Sequence, residues 1–354
     1  MHGGDIYNNE VDIDFSVNLN PCPLSGNDEM AIKAAIERGV GAASYYPDIE
    51  QKEVRTAIAK AEGVSAECIY CGSGASELIM AVTAQTSPKK ALLIEPCYSG
   101  YEHALHDCEI VRYFLREENG FELKEDVLDS VTGDIDILIL QNPINPIGNI
   151  VDNALLCRII EKANTCYITV LYDTSFYGLS DSYIVYNGNI SDDIPLNDNI
   201  FVIGSYTKSF ALPGMRMGYV MSTKDSIARL RKHLPEWNIS SIAASVMTEC
   251  AGIVAKGEYL RQSIWYIGKE RQYLSEELKR LGFTVYKSDT VFILIKDEVG
   301  KYGNLYDRLL DKRILIRRCD DFRGLGRGYY RIAVRGHADN EALVEAIRDI
   351  AYEN

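Results

Sequence analysis

The stretch Gly204-Ser205-Tyr206-Thr207-Lys208-Ser209-Phe210-Ala211-Leu212-Pro213-Gly214-Met215-Arg216-Met217-Gly218-Tyr219 carries most of the meaning in this chain. It is preceded by the apolar, β-branched run Ile200–Gly204 and leads into a second one at Met217–Met221. Between the two lies a loop of small and hydroxylated residues holding one lysine, with an arginine eight residues later. Loops that follow sheet strands are where α/β proteins place their chemistry. A lysine held in a dry site loses its proton more readily and can form a Schiff base with an aldehyde. The Ser205 hydroxyl and the Arg216 fork suit a phosphate group, which arginine binds bidentately.

The same texture extends outward. Strand-like runs occur at Lys90–Ile94, Ile135–Leu140 and Tyr167–Tyr172, with helical patterns around Ser76–Ala84, Ser99–His106 and Asn153–Ala163 between them. Short continuous apolar strands separated by helices predict a mainly parallel sheet covered on both faces. From about Tyr259 the alternation stops. A long charged helix over Arg261–Leu281 precedes short strands at Phe283–Tyr286, Val291–Ile295, Ile314–Arg317 and Tyr330–Val334, and a helix over Asn340–Tyr352 follows. This pattern predicts a second, smaller α+β domain. The expected division is an N-terminal arm over 1–39 that partly joins the small domain, a large domain over 40–258 and a small domain over 259–354.

Composition narrows the functional class. The 354 residues include 37 Lys+Arg against 51 Asp+Glu, a net charge of −14, which disfavours a nucleic-acid partner because phosphate-backbone binding needs clustered cations. No apolar run approaches the roughly 20 residues that span a bilayer, and the first residues lack the features of a signal peptide. Nine scattered cysteines read as free thiols, so the expected location is the cytoplasm. Cys68-Ile69-Tyr70-Cys71 has no second pair, so no metal site is expected. No P-loop, dinucleotide-binding glycine turn or G-x-S-x-G elbow appears.

The motif S-x-x-K with R eight residues on and P-G between resembles the lysine segment of the pyridoxal-phosphate (PLP) dependent class I/II aminotransferases of fold type I. Further segments agree, in the family's order. Asn142-Pro143-Ile144-Asn145-Pro146-Ile147-Gly148 resembles the family's N-P-x-N-P-T-G turn, and Leu171-Tyr172-Asp173 ends a strand at an aspartate. Gly72-Ser73-Gly74-Ala75-Ser76-Glu77 resembles the start of the phosphate-binding helix. Pro96-Cys97-Tyr98 matches the stacking aromatic, and Tyr46-Pro47-Asp48 matches a tyrosine that reaches the neighbouring subunit's phosphate.

The resemblance implies a fold-type-I architecture, with a large domain built on a mainly parallel, seven-stranded-type sheet between helices, a smaller α+β domain, and a homodimer. It also implies roles. Lys208 would hold PLP covalently and shuttle protons at the substrate Cα. Asp173 would pair with the pyridinium nitrogen, Asn145 with the ring hydroxyl, and Tyr98 would lie over the ring. Gly74, Ala75, Ser76, Ser205 and Arg216 would receive the phosphate, together with Tyr46 of the partner. Phe176 stands where most of these aminotransferases carry a tyrosine.

Together with His2-Gly3-Gly4, Asp14–Pro21, Ile314–Leu325 and Tyr330–Arg335, that phenylalanine resembles the threonine-phosphate decarboxylase branch, close to the histidinol-phosphate aminotransferases. The implied activity is PLP-dependent decarboxylation of a phosphorylated amino acid. The alternative is amino transfer to a 2-oxo acid. Arg331 would hold the substrate carboxylate. Arg335, four residues on in an alternating strand, would share its face and meet the substrate's far end together with His2 and Asn18.

Overall fold

The computed structural model describes residues 3–185 and 194–352. Its strands in chain order are β1 (Ile13–Asp14), β2 (Ile69–Ser73), β3 (Lys90–Glu95), β4 (Glu109–Phe114), β5 (Ile137–Gln141), β6 (Thr169–Asp173) and β7 (Ile200–Gly204). They continue with β8 (Met217–Met221), β9 (Thr284–Val285), β10 (Phe292–Lys296), β11 (Ile314–Leu315), β12 (Arg317–Arg318) and β13 (Tyr329–Ala333). Seven of them form one sheet in the order β2-β8-β7-β6-β5-β3-β4. All its neighbours pair in parallel except β8, which runs antiparallel to both β7 and β2.

The interior strands are apolar throughout because both faces are covered. Leu138 and Leu140 enter one core with Val170, Tyr172 and Val202, while Ile137 and Ile139 enter a second with Leu171, Phe201 and Ile203. Alternate side chains of a strand point to opposite faces, so a strand buried on both sides reads as an unbroken hydrophobic run. The edge strand β4 is half-exposed and mixed in character, and its Glu-Ile-Val-Arg-Tyr-Phe pattern is not apparent as a strand in the sequence.

The C-terminal part forms a four-stranded antiparallel sheet ordered β12-β13-β10-β9. Its core includes Phe292, Ile293 and Ile332 and is covered by Leu274 and Leu278 of the helix Glu258–Leu281 and by Leu343 and Ile347 of the helix His337–Tyr352. The long helix belongs to both halves: Tyr259 and Leu260 pack in the large-sheet core, and Ile267, Leu274 and Leu278 in the other. The expected strand Ile314–Arg317 is split at Ile316 into β11 and β12, which join different sheets.

The N-terminal arm divides as well. β1 pairs in parallel with β11, and the Phe15 carbonyl accepts from the Ala333 amide at 2.9 Å. The following helix, Gly26–Gly41, instead places Ile32 and Ala35 in the large-sheet core.

Candidate active site

Strands β3, β5, β6 and β7 run the same way, so their C-terminal ends share one edge of the sheet, where open α/β sheets bind ligands. Because β8 is reversed, its first residue arrives at that same edge, bringing Arg216 with it. The result is one cavity of about 300 Å³. Its walls include Gly74, Ala75, Ser76, Tyr98, Asn145, Asp173, Ser205, Lys208 and Arg216 from the large sheet's loops. Asn18, Arg317, Phe322 and Arg331 close it from the other side.

Lys208 lies in the helical turn Tyr206–Ser209, which is capped by the Ser205 hydroxyl accepting from the Thr207 amide. Burial pushes the Lys208 ammonium down to about 8, Arg331 and Arg216 add to the effect, and Asp173 opposes it. An amine in that state is closer to the neutral form that attacks an aldehyde. Asp173, the last residue of β6, is buried and receives the Tyr101 hydroxyl at 2.6 Å and the Ser175 amide at 2.8 Å. Burial pushes its carboxyl up, against the pull of these hydrogen bonds and of Lys208. A carboxylate so placed is built to face a cation.

The phosphate end is shaped by close approach. Gly74 has φ +83, and a Cβ there would stand 2.7 Å from Arg216 Nη2. A Cβ on Gly218 would meet the Gly74 carbonyl carbon at 2.6 Å and the Ala75 nitrogen at 2.7 Å, so β8 presses directly on the start of the helix Ala75–Thr86. Backbone amides at a helix N-terminus beside a guanidinium make an anion cradle. These residues therefore fit a phosphorylated aldehyde cofactor. The Ser205 hydroxyl donates to the Met217 carbonyl at 2.9 Å and lies 2.7 Å from Thr207 Oγ1, so it braces the loop as well as lining the cavity. The Tyr98 ring folds back over Gly100, where a Cβ would lie 2.2 Å from it, and meets Tyr101 edge-on at 5.5 Å.

At the far end, β12 and β13 pair with Arg317 directly opposite Arg331. Arg331 donates to Asn145 Oδ1 at 2.5 Å and to the Ser16 carbonyl at 2.6 Å, while its buried Nε has no partner. Burial pushes its guanidinium down to about 10. Asn18 is buried with its Oδ1 unpartnered. Phe176 lines the cavity, its ring 5.9 Å from Lys208 Nζ and edge-on to Phe292.

One expected site residue falls elsewhere, and two others are not brought to this cavity by the described residues of a single chain. Arg335 does not line the cavity: β13 ends at Ala333, strand alternation stops there, and the Arg335 Nε pairs with Asp339 at 3.2 Å. Arg317 lines the cavity instead. Tyr46 is exposed, with its ring 4.8 Å from Trp237, and is not in the wall of this cavity. His2 lies outside the described residues. The sequence reading missed Thr207, Arg317 and Phe322, which line the cavity, and Tyr101, which holds Asp173 from behind. Arg317 stands in the quoted Ile314–Leu325 segment, and Tyr101 comes three residues after Tyr98, so both were within reach of a helix-turn and strand-pairing argument.

The model for the family "Aminotransferase class I and II" matches residues 10–349. The chain belongs to this family. It is an enzyme, and its cofactor is pyridoxal 5'-phosphate. Threonine-phosphate decarboxylase from Salmonella typhimurium is 32% identical over 344 residues, covering 96% of this chain and 91% of that protein. Histidinol-phosphate aminotransferase from Methanosarcina mazei is 29% identical over 340 residues, 92% of this chain and 85% of its own. Among solved structures, the histidinol-phosphate aminotransferase from Clostridium acetobutylicum superimposes with a TM-score of 0.86 at 27% identity, covering 97% of this chain and 100% of that one. The mostly parallel sheet between helices is the fold-type-I architecture expected from the resemblance. No helix among the described residues is long and apolar enough to cross a membrane.

Proposed function

We propose that this enzyme removes CO₂ from an O-phosphorylated α-amino acid. The observation that carries this reading is the direct pairing of Arg317 with Arg331 across β12 and β13, two guanidinium forks on the wall of one cavity. A substrate with a carboxylate at one end and a phosphate at the other matches two forks, each suited to a planar or tetrahedral anion. Similarity to threonine-phosphate decarboxylase over nearly the whole chain supports the reaction type.

Bound PLP supplies an electron sink beside the substrate's α-carbon. The protein's residues do the rest. Lys208 Nζ holds the cofactor aldehyde between turnovers and moves a proton at the α-carbon. Asp173 holds a proton on the ring nitrogen, with Tyr101 and Ser175 orienting its carboxylate. Tyr98 covers the ring and Asn145 meets its oxygen. Gly74, Ala75, Ser76, Ser205 and Arg216 receive the cofactor phosphate. Arg331 takes the substrate carboxylate, and Arg317 and Asn18 take its phosphate. Arg335, paired with Asp339, lies outside the cavity wall and is assigned no role here.

We further infer a cytoplasmic homodimer in which the exposed Tyr45–Tyr46 segment beside Trp237 is covered and Tyr46 reaches the partner's cofactor. We also infer an arm over 1–39, a large domain over 40–258 that carries the cofactor residues, and a small domain over 259–354 that carries Arg317 and Arg331.

Incubation of the holoenzyme with O-phosphothreonine and related phospho-amino acids should release CO₂. Absence of release across the series would end the reading. Glutamate formation from 2-oxoglutarate in an amino-donor screen would replace it with the aminotransferase alternative, which the histidinol-phosphate aminotransferase similarities favour.

A further inference from the structure

The phosphate turn hangs from the outermost strand of the large sheet. β2 has β8 as its one strand neighbour, and an edge strand leaves amides and carbonyls without a strand partner. At Cys71, shortly before Gly74, the buried carboxamide of Gln51 stands in for the missing strand. Gln51 Oε1 accepts from the Cys71 amide at 2.8 Å, and Gln51 Nε2 donates to the Cys71 carbonyl at 3.2 Å. Gln51 Nε2 also donates to Asn238 Oδ1 at 2.9 Å. Asn238 Nδ2 donates in turn to the Cys71 carbonyl at 3.0 Å and to Glu77 Oε2 at 2.9 Å. The same Glu77 oxygen accepts from the Ser73 amide at 2.7 Å. Glu77 lies in the first turn of the helix Ala75–Thr86, whose cap residue, Gly74, has no side chain to offer. Two of these segments are held against local preference. Gln51 has φ +51 and Trp237, the residue before Asn238, has φ +52, a region that bulky residues rarely adopt. Such conformations persist where the surrounding structure over-determines them, and they concentrate at functional sites.

We infer that Asn238 and Gln51 are positioning residues for the cofactor phosphate, acting through Glu77. A phosphate and the Glu77 carboxylate are both anions, and both are drawn to the N-terminus of the same helix. With the Ser73 amide and Asn238 on its Oε2, the carboxylate is fixed on the β2 side of the turn, where a Cβ on Gly72 would lie 3.0 Å from it. The Ala75 and Ser76 end of the helix, without a side-chain cap, is left to the phosphate. Released from Asn238, Glu77 becomes a mobile negative charge beside that phosphate. Gln51 decides which end of Asn238 faces Glu77. The Cys71 amide can only donate, so it takes Gln51 Oε1 and turns Gln51 Nε2 toward Asn238 Oδ1, which leaves Nδ2 as the donor to Glu77. The inference concerns the cofactor alone and holds for decarboxylation and for amino transfer.

The test titrates the full-length, cofactor-free chain with PLP and with pyridoxal, which lacks the phosphate, and follows the absorbance of the aldehyde joined to Lys208. Asn238→Asp keeps the shape of the side chain, removes both donated hydrogen bonds and sets a second carboxylate against Glu77. PLP affinity should fall by about tenfold or more, the loss expected for a hydrogen bond to a charged group, and pyridoxal affinity by no more than about twofold. In a Glu77→Gln background the same change should cost PLP no more than about threefold, because the carboxamide now donates across the pair and no charge is released. A general contribution to folding would weaken both aldehydes alike. That result, unchanged PLP binding, or an undiminished loss in the Glu77→Gln background would each overturn the inference. If Asn238→Asp does not fold, Gln51→Glu decides the matter. It keeps the acceptor for the Cys71 amide and removes the donor that orients Asn238, so PLP should again weaken more than pyridoxal, and an equal effect on the two refutes the relay.

Discussion

Replacing Lys208 by methionine in the cofactor-free protein should stabilise the fold at neutral pH. The amine sits in a largely buried wall facing Arg331 and Arg216, and its ammonium is pushed from 10.5 to about 8, chiefly by burial. A lysine whose folded-state value is depressed is bound by fewer protons in the native than in the unfolded chain between those two values. Wild-type stability therefore rises with pH across about 8 to 10.5, and the cost of the buried charge is fully present below 8. A difference of 10.5 − 8 converts to about 3 kcal/mol at the upper bound, and relaxation around a charged side chain brings the expected gain for Lys208→Met to about 1–3 kcal/mol. Urea denaturation of both cofactor-free proteins at pH 7 and near pH 10.5 measures it. Lys208→Met should be the more stable at pH 7, with the gap narrowing toward pH 10.5. A gain that does not vary with pH would mean that methionine improves packing only. A loss at pH 7 would mean that Asp173 outweighs burial, refuting the account of why this amine is reactive.

Gly218→Ala places a methyl within 2.7 Å of backbone atoms at the phosphate turn, where no side chain can give way, so overpacking of about 1–3 kcal/mol should weaken cofactor binding by about tenfold or more. Equilibrium dialysis against PLP would detect it, and wild-type affinity would contradict the proposed cradle. Tyr101→Phe removes one of two donors to the buried Asp173 carboxylate, a hydrogen bond to a charged group worth about 1.5–3 kcal/mol. Cofactor affinity should fall by roughly tenfold or more and fall further as pH drops, because protonating Asp173 becomes easier. An unchanged pH profile of the cofactor's absorbance would remove Tyr101 from the role assigned to it.

The legible parts of this protein were those whose physics is local. Strands β5, β6 and β7 are buried on both faces and so announce themselves as continuous apolar runs, and β7 and β8 match the expected limits residue for residue. β4 escaped because an edge strand alternates weakly and carries charge. The same limit explains the exchange of Arg335 for Arg317. A face shared by residues four apart holds only while the strand lasts, and β13 ends two residues before Arg335. Arg317 reaches the site through pairing with a strand more than ten residues away, after the chain switches sheets at Ile316. Tyr101 meets Asp173 across 72 residues of sequence, a contact that exists only once β3 and β6 are both set in the sheet.

The two sides of the cavity divide the work in a way the topology enforces. The large sheet delivers Lys208, Asp173 and the phosphate cradle from the ends of strands locked in one register, and those groups serve any reaction at an α-carbon. Choice of bond depends on how the substrate is held against the cofactor, and the two arginines proposed to hold it come from β12 and β13. Those strands are tied to the N-terminal arm: Phe15 donates to Leu315 and accepts from Ala333, which sets the Ser16 carbonyl on Arg331. Arg331 in turn reaches across to Asn145 on the large sheet's side. The two short segments proposed to orient the substrate, residues 13–18 and 314–333, are joined through β1 and β11. A relative that keeps the large-sheet residues and changes only these segments can change its reaction without rebuilding the cofactor site. Threonine-phosphate decarboxylase and histidinol-phosphate aminotransferase relatives both match this chain over most of its length, which such a division of labour allows.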